Sequence, residues 1–167
     1  MRRNKHDLTI REVTSDGGLR EAARVIRASF RTVADEFGLT RESCPAHPAF
    51  ITHGRLRKMG AEGLRLFALA DAGDTVGVVG IKRLDGGRHA LEKLCVLPEH
   101  RRHGHGRRLV EFACGAVKPA GGKIVEIGTI DEHALLKEWY ADQGFVAKAT
   151  KRFEHFPFAI CLMEKRV

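Results

Sequence analysis

The chain of 167 residues is predicted to have a mixed α/β (α+β) fold. Strand-like runs of alternating or β-branched residues interleave with segments whose apolar residues recur at helical spacing, which favours a mixed sheet covered by helices. With 43% hydrophobic and 30% charged residues, the composition is typical of a globular protein. We therefore expect a single domain over residues 1–167.

Each element is predicted from its residue pattern. Strand-like runs lie at residues 8–13, 64–70, 75–81, 90–97, 123–130, 145–149 and 158–163. Apolar residues at helical spacing predict helices over residues 19–30, 109–117 and 131–143. Asp131 is the expected cap of the last helix, and Gly144 is expected to end it in the left-handed conformation. Prolines interrupt residues 31–63, where residues 50–59 are compatible with a short helix.

The charge and the cysteines limit the classes of function. Lys and Arg number 29 against 21 Asp and Glu, so the protein carries a net charge of +8 and should attract anions such as nucleotides, phosphates or nucleic acid. Its cysteines are far apart, which predicts buried free thiols in a reducing compartment. The basic residues 1–5 precede no apolar stretch, and no membrane-spanning segment is expected. A cytoplasmic protein is the expectation.

Residues 96–109 are the most informative segment, because a strand leads through a basic, glycine-containing loop directly into a helix. Unpaired N–H groups and the helix dipole make such a helix start attractive to phosphate. The P-loop pattern GxxxxGK[ST] is absent, and Leu109 occupies the third glycine position of a dinucleotide fingerprint. What remains is Arg101-x-x-Gly104-x-Gly106.

This loop pattern resembles the acetyl-CoA loop of the GCN5-related N-acetyltransferase (GNAT) family, and Tyr140-x-x-x-Gly144-Phe145 resembles a second signature of that family. The resemblance implies a mostly antiparallel sheet of six to seven strands flanked by about four helices, with a bulge that splays the two central strands. It also implies acetyl-CoA as co-substrate. The alternative for the loop is a basic surface turn.

The resemblance further implies which residues bind acetyl-CoA. The backbone of the fourth strand would pair with the pantetheine arm, and the glycine loop would hold the pyrophosphate. The strand residues are Cys95, Val96 and Leu97, and the loop residues are Arg101, Arg102, His103, Gly104, His105, Gly106 and Arg107.

Tyr140 is the candidate catalytic acid, because the resemblance puts this hydroxyl beside the sulfur of CoA. A phenol with a pKa near 10 is protonated at pH 7 and can donate to a departing thiolate. The alternative is a buried tyrosine whose ring packs near Phe145.

Glu92 is the candidate catalytic base. Simple alternation along residues 90–97 predicts that it shares a face with Leu94 and Val96, and apolar neighbours make a carboxylate a better base. The alternative is an exposed glutamate, or one paired with Lys93 or with an arginine of the next strand.

His100, His103 and His105 form a His-x-x-His-x-His pattern that is typical of some metal sites. Such sites need converging ligands and usually cysteine or carboxylate partners, which the motif lacks. We expect no metal, with the imidazoles facing solvent or the bound anion.

The predicted function is an acetyl-CoA-dependent N-acetyltransferase that transfers the acetyl group to a primary amine by direct attack in a ternary complex. The acceptor is a small molecule or a peptide or protein amine, with no nucleic acid or membrane partner, and the enzyme is a monomer or homodimer. One alternative is a non-catalytic CoA-binding sensor of the same fold. The other is a basic nucleic-acid-binding protein, which the few aromatic residues do not favour.

Overall fold

A twisted sheet with helices packed on both faces organises the protein, described for residues 7–167 in a computed structural model. The basic stretch 1–5 lies outside the described residues. The elements are β1 (Thr9–Glu12), α1 (Asp16–Glu36), α2 (His53–Ala61), β2 (Leu64–Asp71), β3 (Asp74–Arg83), β4 (Arg88–Val96), α3 (His105–Val117), β5 (Ile124–Ile130), α4 (Ala134–Asp142), β6 (Val146–Arg152) and β7 (Ala159–Arg166).

The sheet has seven strands in the order β1-β2-β3-β4-β5-β7-β6. Strands β4 and β5 run parallel, while the other neighbours in the described sheet pair antiparallel. Four α-helices complete the described part of the chain. These findings confirm the predicted mixed, mostly antiparallel sheet and the predicted number of helices.

The two central strands separate part-way along their length. Residues 88–90 of β4 pair with residues 124–126 of β5, and the pairing stops there. On its other side β4 pairs with β3, and the register between them shifts between Val78 and Gly80. Opposite this shift Lys93 has a φ of 55°, a left-handed conformation that bulges are known to impose. The predicted splayed strands and bulge are confirmed, and a cleft opens between them.

Two apolar clusters hold the helices on opposite faces of the sheet. One face packs α3 and α4 against residues such as Phe67, Val79 and Ile127. The other packs α1 and α2 against residues such as Leu66 and Val78. Successive side chains of a strand point to opposite faces of the sheet, so the buried strands contribute side chains to both clusters.

The structure corrects two helix starts. Helix α1 begins at Asp16 rather than near Leu19, because the Ser15 hydroxyl accepts a hydrogen bond from Gly18 N at 3.0 Å and caps the helix. Helix α4 begins after His133, which makes no side-chain cap. Asp131 is therefore not the cap, and its carboxylate instead accepts from Lys137 at 3.0 Å.

The cysteines are buried and unpaired, as predicted. The segment 31–63, which the sequence left largely undefined, contains the end of α1 and all of α2. Thr52 begins α2 by accepting a hydrogen bond from Arg55 N at 3.1 Å. Within residues 7–167, no helix combines the length and the apolar character that crossing a membrane requires.

Candidate active site

The separation of β4 and β5 creates a cleft of about 830 Å³. It runs from the glycine loop, past the bulge of β4 and α4, to α1 and the connection between β6 and β7. Residues that line the cleft include Ser29, Phe30, Thr32, Glu36, His47, Glu92, Lys93, Cys95, Val96, Arg101, Arg102, Gly104, His105, Gly106, Arg107, Thr129, Trp139, Tyr140, Phe156 and Phe158. Sequence motifs that lie far apart in the chain therefore meet around one space.

The start of α3 borders the cleft. Gly104 precedes the helix with a φ of 80°, a conformation that side chains disfavour. The first backbone bond of the helix runs from Arg108 N to Gly104 O at 3.0 Å. The N–H groups of residues 105–107 precede that bond and are the groups a helix start offers to an anion.

Gly106 allows α3 to approach α4 closely. A Cβ atom at this position would lie 3.2 Å from Cζ2 of Trp139 and 4.0 Å from Cγ2 of Val96. A side chain at the second glycine of the loop motif would therefore crowd the indole of Trp139, the residue that precedes Tyr140.

The arginines of the loop have different roles. Arg101 donates to Val96 O at 3.0 Å and to Ser29 O at 2.8 Å, and it also donates to Thr32 Oγ1 at 3.2 Å. Three of its five N–H groups are therefore occupied within the fold, which leaves at most two for a phosphate. Arg107 pairs with Glu111 on the exposed surface of α3 at 2.9 Å. Arg102 is exposed and lines the cleft, so it keeps its predicted position.

The edge of β4 offers less backbone than predicted. Leu97 N donates to Val76 O of β3 at 2.8 Å, and Leu97 does not line the cleft. Because backbone groups alternate along a strand, Val96 N–H is directed to the β5 side, where the strands have separated. Val96 O is occupied by Arg101. Val96 N–H is the group available there, and Leu97 is corrected to a core residue.

Tyr140 is buried in α4 and lines the cleft. Its ring meets Trp139 and Phe145 edge-on, with centroids 5.0 Å and 5.5 Å away. Gly144 ends the helix with a φ of 92°, which confirms its predicted conformation and brings Phe145 back onto Tyr140. Burial raises the pKa of the Tyr140 phenol above its usual value, and the nearby Cys95 adds to the rise. The hydroxyl is therefore protonated at neutral pH.

Cys95 lies beside this tyrosine at the wall of the cleft. Burial raises the pKa of its thiol to about 12. The sulfur keeps its proton at pH 7 and is a poor nucleophile, because the thiolate is the reactive form.

Glu92 lines the cleft, but on a different face of β4 than alternation predicts. It lies opposite Gly80, on the side of Cys95 and of the α1 and α2 cluster, because the extra residue of the bulge shifts the alternation. The prediction that Glu92 and Val96 lie on the same face of β4 is wrong. Its Oε2 atom lies 3.9 Å from Lys93 Nζ, so the ion pair weighed as an alternative is present.

A sequence model described as the acetyltransferase (GNAT) domain matches residues 62–147, just over half of the chain. The chain belongs to the GNAT acetyltransferase family. No curated protein matches this GNAT chain.

Solved structures with the same fold cover nearly all of the GNAT chain at low identity. Ribosomal-protein-S18-alanine N-acetyltransferase from Escherichia coli has a TM-score of 0.75 at 16% identity, over 96% of this chain and 94% of that one. PaiA N-acetyltransferase from Thermoplasma acidophilum, in complex with coenzyme A, scores 0.74 at 17% identity, over 96% and 99%. A GNAT acetyltransferase from Elizabethkingia anophelis with acetyl-CoA bound scores 0.70 at 13% identity, over 98% and 100%. These similarities establish the fold.

Several residues of the GNAT cleft escaped the sequence-based prediction. Lys93 is one, because only the bulge turns its side chain inward, where burial lowers the pKa of its amine and the neighbouring Glu92 opposes that change. His47 is another: its Nδ1 atom accepts from Ala49 N at 3.2 Å, and burial followed by the charge of Lys93 lowers its pKa to about 4. Thr129 is buried, and its hydroxyl has no hydrogen-bond partner within residues 7–167.

The end of the cleft away from the glycine loop is mostly apolar. Phe156 and Phe158 stack there with centroids 5.2 Å apart, and Phe30 packs edge-on against His47 at 5.9 Å. Glu36 adds a carboxylate to this end. The β6–β7 connection therefore helps to form the wall opposite α1.

The histidines of the GNAT loop differ in their exposure and in whether they line the cleft. His103 is exposed and does not line the cleft, whereas His105 is buried and borders it. Burial lowers the pKa of His105, and the charge of Asp71 opposes this. One ligand atom from each of Asp71, His100 and His105 lies within 4.8 Å of the others, so these residues could hold a metal.

Proposed function

We propose that this protein is an acetyl-CoA-dependent N-acetyltransferase that acetylates a primary amine. The observation that carries the proposal is the cleft between β4 and β5, where the start of α3 and the buried Tyr140 border one continuous space. Membership of the GNAT family supports acetyl transfer in general.

The residues at the loop fit a diphosphate. N–H groups of residues 105–107, the left-handed Gly104 and the exposed Arg102 would hold the pyrophosphate, because a helix start attracts anions. Arg101 would position the glycine loop, because its hydrogen bonds tie the loop to the end of β4 and to α1. Val96 N–H would donate a hydrogen bond to an acceptor atom of the pantetheine arm. Acetyl-CoA supplies the activated thioester.

Tyr140 would serve as the acid. Its phenol stays protonated because burial raises its pKa, so a proton is available when a thiolate leaves. The ring is fixed between Trp139 and Phe145, which limits the motion of the hydroxyl. Cys95 is not assigned a covalent role, because its thiol is protonated at neutral pH. Direct attack of the amine on the thioester therefore fits this site better than a cysteine-bound intermediate.

Glu92 would serve as the base. A lysine-like amine has a pKa about three units above pH 7, so its deprotonation costs roughly 4 kcal/mol. The Glu92 carboxylate lines the cleft on the acceptor side of the bulge and can receive that proton directly or through water. Lys93, at 3.9 Å, holds the carboxylate near the cleft wall.

A binding and turnover experiment tests the proposal. Acetyl-CoA binding is measured by calorimetry, and release of the CoA thiol is measured with a panel of amines: a polyamine, an aminoglycoside, an amino acid, a peptide N-terminus and a lysine peptide. We expect binding and amine-dependent release with at least one class. Binding without release from any amine would favour the CoA sensor. Absence of binding, together with a salt-dependent shift of nucleic acid, would favour the nucleic-acid-binding alternative.

A further inference from the structure

Side chains from three separate elements converge beside the catalytic cleft, and His105 also borders it. Asp71 ends β2, His100 ends the short 3-10 helix Pro98–His100, and His105 begins α3. One potential ligand atom from each residue lies within 4.8 Å of the other two. Neither Asp71 nor His100 lines the cleft. Two of the three residues therefore lie outside the cleft, while His105 belongs both to this cluster and to the helix start proposed to hold the pyrophosphate.

His105 indicates that the cluster is built to bind a ligand. Its side chain is only 7% exposed, and its Nε2 atom lies 3.8 Å from Asp71 Oδ2. Its Nδ1 atom is buried and makes no hydrogen bond within residues 7–167. A buried polar atom without a partner is costly, and a metal bound through Nδ1 would remove that cost. Nε2 is the ring nitrogen that lies near Asp71, so binding through Nδ1 requires the imidazole to turn over.

We propose that Asp71, His100 and His105 bind one divalent transition-metal ion, with Zn²⁺ as the best match. Two imidazoles and a carboxylate are ligands that zinc prefers, and three protein ligands leave a fourth tetrahedral position for water. The His-x-x-His-x-His motif alone lacked a carboxylate partner, and the folded chain supplies it from the end of β2. Tetrahedral zinc bonds of about 2.0–2.2 Å place the ligand atoms about 3.4 Å apart. The ligand atoms here lie within 4.8 Å of one another, so the most distant pair closes by up to about 1.4 Å when the ion binds.

The position of the ion gives it a structural role. His100 and His105 flank the loop of residues 101–104, and Asp71 connects that loop to the β2–β3 hairpin. Bound metal would hold these segments together and stiffen the loop. The ion takes no part in the acetyl-transfer step, and the site stands whether or not the cleft binds acetyl-CoA.

Zinc titration of chelator-treated full-length protein tests the site. Calorimetry with Zn²⁺ alone should give a single saturable ion per chain. His100→Ala and Asp71→Asn should each weaken Zn²⁺ binding by at least about tenfold. The matched control is His155→Ala, which removes an exposed histidine far along the chain and should keep the affinity within about twofold.

A thermal measurement separates ligand loss from misfolding. Because His100 is only partly buried, His100→Ala should unfold at nearly the temperature of the metal-free wild type. Zn²⁺ should raise the unfolding temperature of the wild type and of His155→Ala, but not that of His100→Ala. No saturable binding, or equal affinity in His100→Ala and His155→Ala, would overturn the metal site. Neither result depends on acetyl-CoA or an amine, so it leaves the proposed acetyltransferase activity to its own test.

Discussion

A Cβ atom on Gly106 would lie 3.2 Å from Cζ2 of Trp139, so the loop motif and the Tyr140 motif are in direct contact. This separation is shorter than most carbon contacts, and the indole is confined by Tyr140 at a ring distance of 5.0 Å. The two sequence signatures thus form one packed unit at the wall of the cleft.

Gly106→Ala should be less stable than Gly115→Ala by about 1–3 kcal/mol, because both gain helix propensity but only the methyl at residue 106 crowds Trp139. Gly115→Ala is the matched control in the same helix, since a Cβ there meets nothing within 4 Å. That control should stabilise the fold by about 0.5–1 kcal/mol, through helix propensity. Chemical denaturation measures both, and equal effects of the two substitutions would contradict the contact.

Tyr140→Phe should lower kcat by about 100-fold or more while acetyl-CoA affinity stays within about twofold. The reason is that the substitution removes the acidic hydroxyl and keeps the ring between Trp139 and Phe145. Assays of CoA thiol release measure kcat, and calorimetry measures the affinity for acetyl-CoA. Unchanged turnover would show that the tyrosine is only a packing residue.

Glu92→Gln should lower kcat/KM by about 100-fold near neutral pH, with part of the loss recovered at high pH, where the amine is already deprotonated. Lys93→Met is the companion variant, because it removes the ion-pair partner at 3.9 Å and leaves the carboxylate. It should retain most of the pH dependence. A pH–rate profile that is the same in wild type and Glu92→Gln would assign the base elsewhere.

Arg101→Gln should destabilise the protein by about 1–2 kcal/mol and weaken acetyl-CoA binding, since the guanidinium links the end of β4 to α1 through bonds to Val96, Ser29 and Thr32. Arg107→Gln is the comparison, because its pair with Glu111 is exposed and should contribute less than about 1 kcal/mol. Equal losses of stability in the two variants would argue against the positioning role.

His47 should make stability depend on pH. Its folded pKa is lowered from 6.5 to about 4, so between these values the unfolded chain binds a proton that the folded chain does not. The contribution of His47 to stability is therefore complete above pH 6.5 and is lost as the pH falls from 6.5 to about 4, by at most about 3.4 kcal/mol. His47→Asn, whose amide oxygen can replace the Nδ1 acceptor, should flatten the slope relative to His155→Asn. An identical slope in both variants would exclude His47 as its source.

Much of the architecture was predictable from local sequence signals. The strand-like runs at residues 64–70 and 75–81 predicted the strands β2 and β3, and Gly144 predicted the end of α4. Such features depend on residues close in the chain. The segment 31–63 was less predictable, because tertiary packing rather than a regular apolar pattern defines its short helices.

The site was predictable only in part, for a physical reason. Gly104, Gly106 and Tyr140 were identified because backbone conformation and motif spacing are local properties. The face of Glu92 was wrong, because one extra residue at the bulge of β4 shifts every side chain beyond it.

By itself, the sequence determined the order of strands and helices, the helix start that can hold a phosphate, and some of the residues that line the cleft, Tyr140 among them. Only the tertiary structure decided which groups can contact a ligand. In the folded chain Arg101 donates a hydrogen bond to Val96 O, Lys93 lines the cleft, and Asp71 lies beside His105. These contacts join residues that are distant in sequence or lie at a bulge. They depend on packing and strand register, which no local pattern encodes.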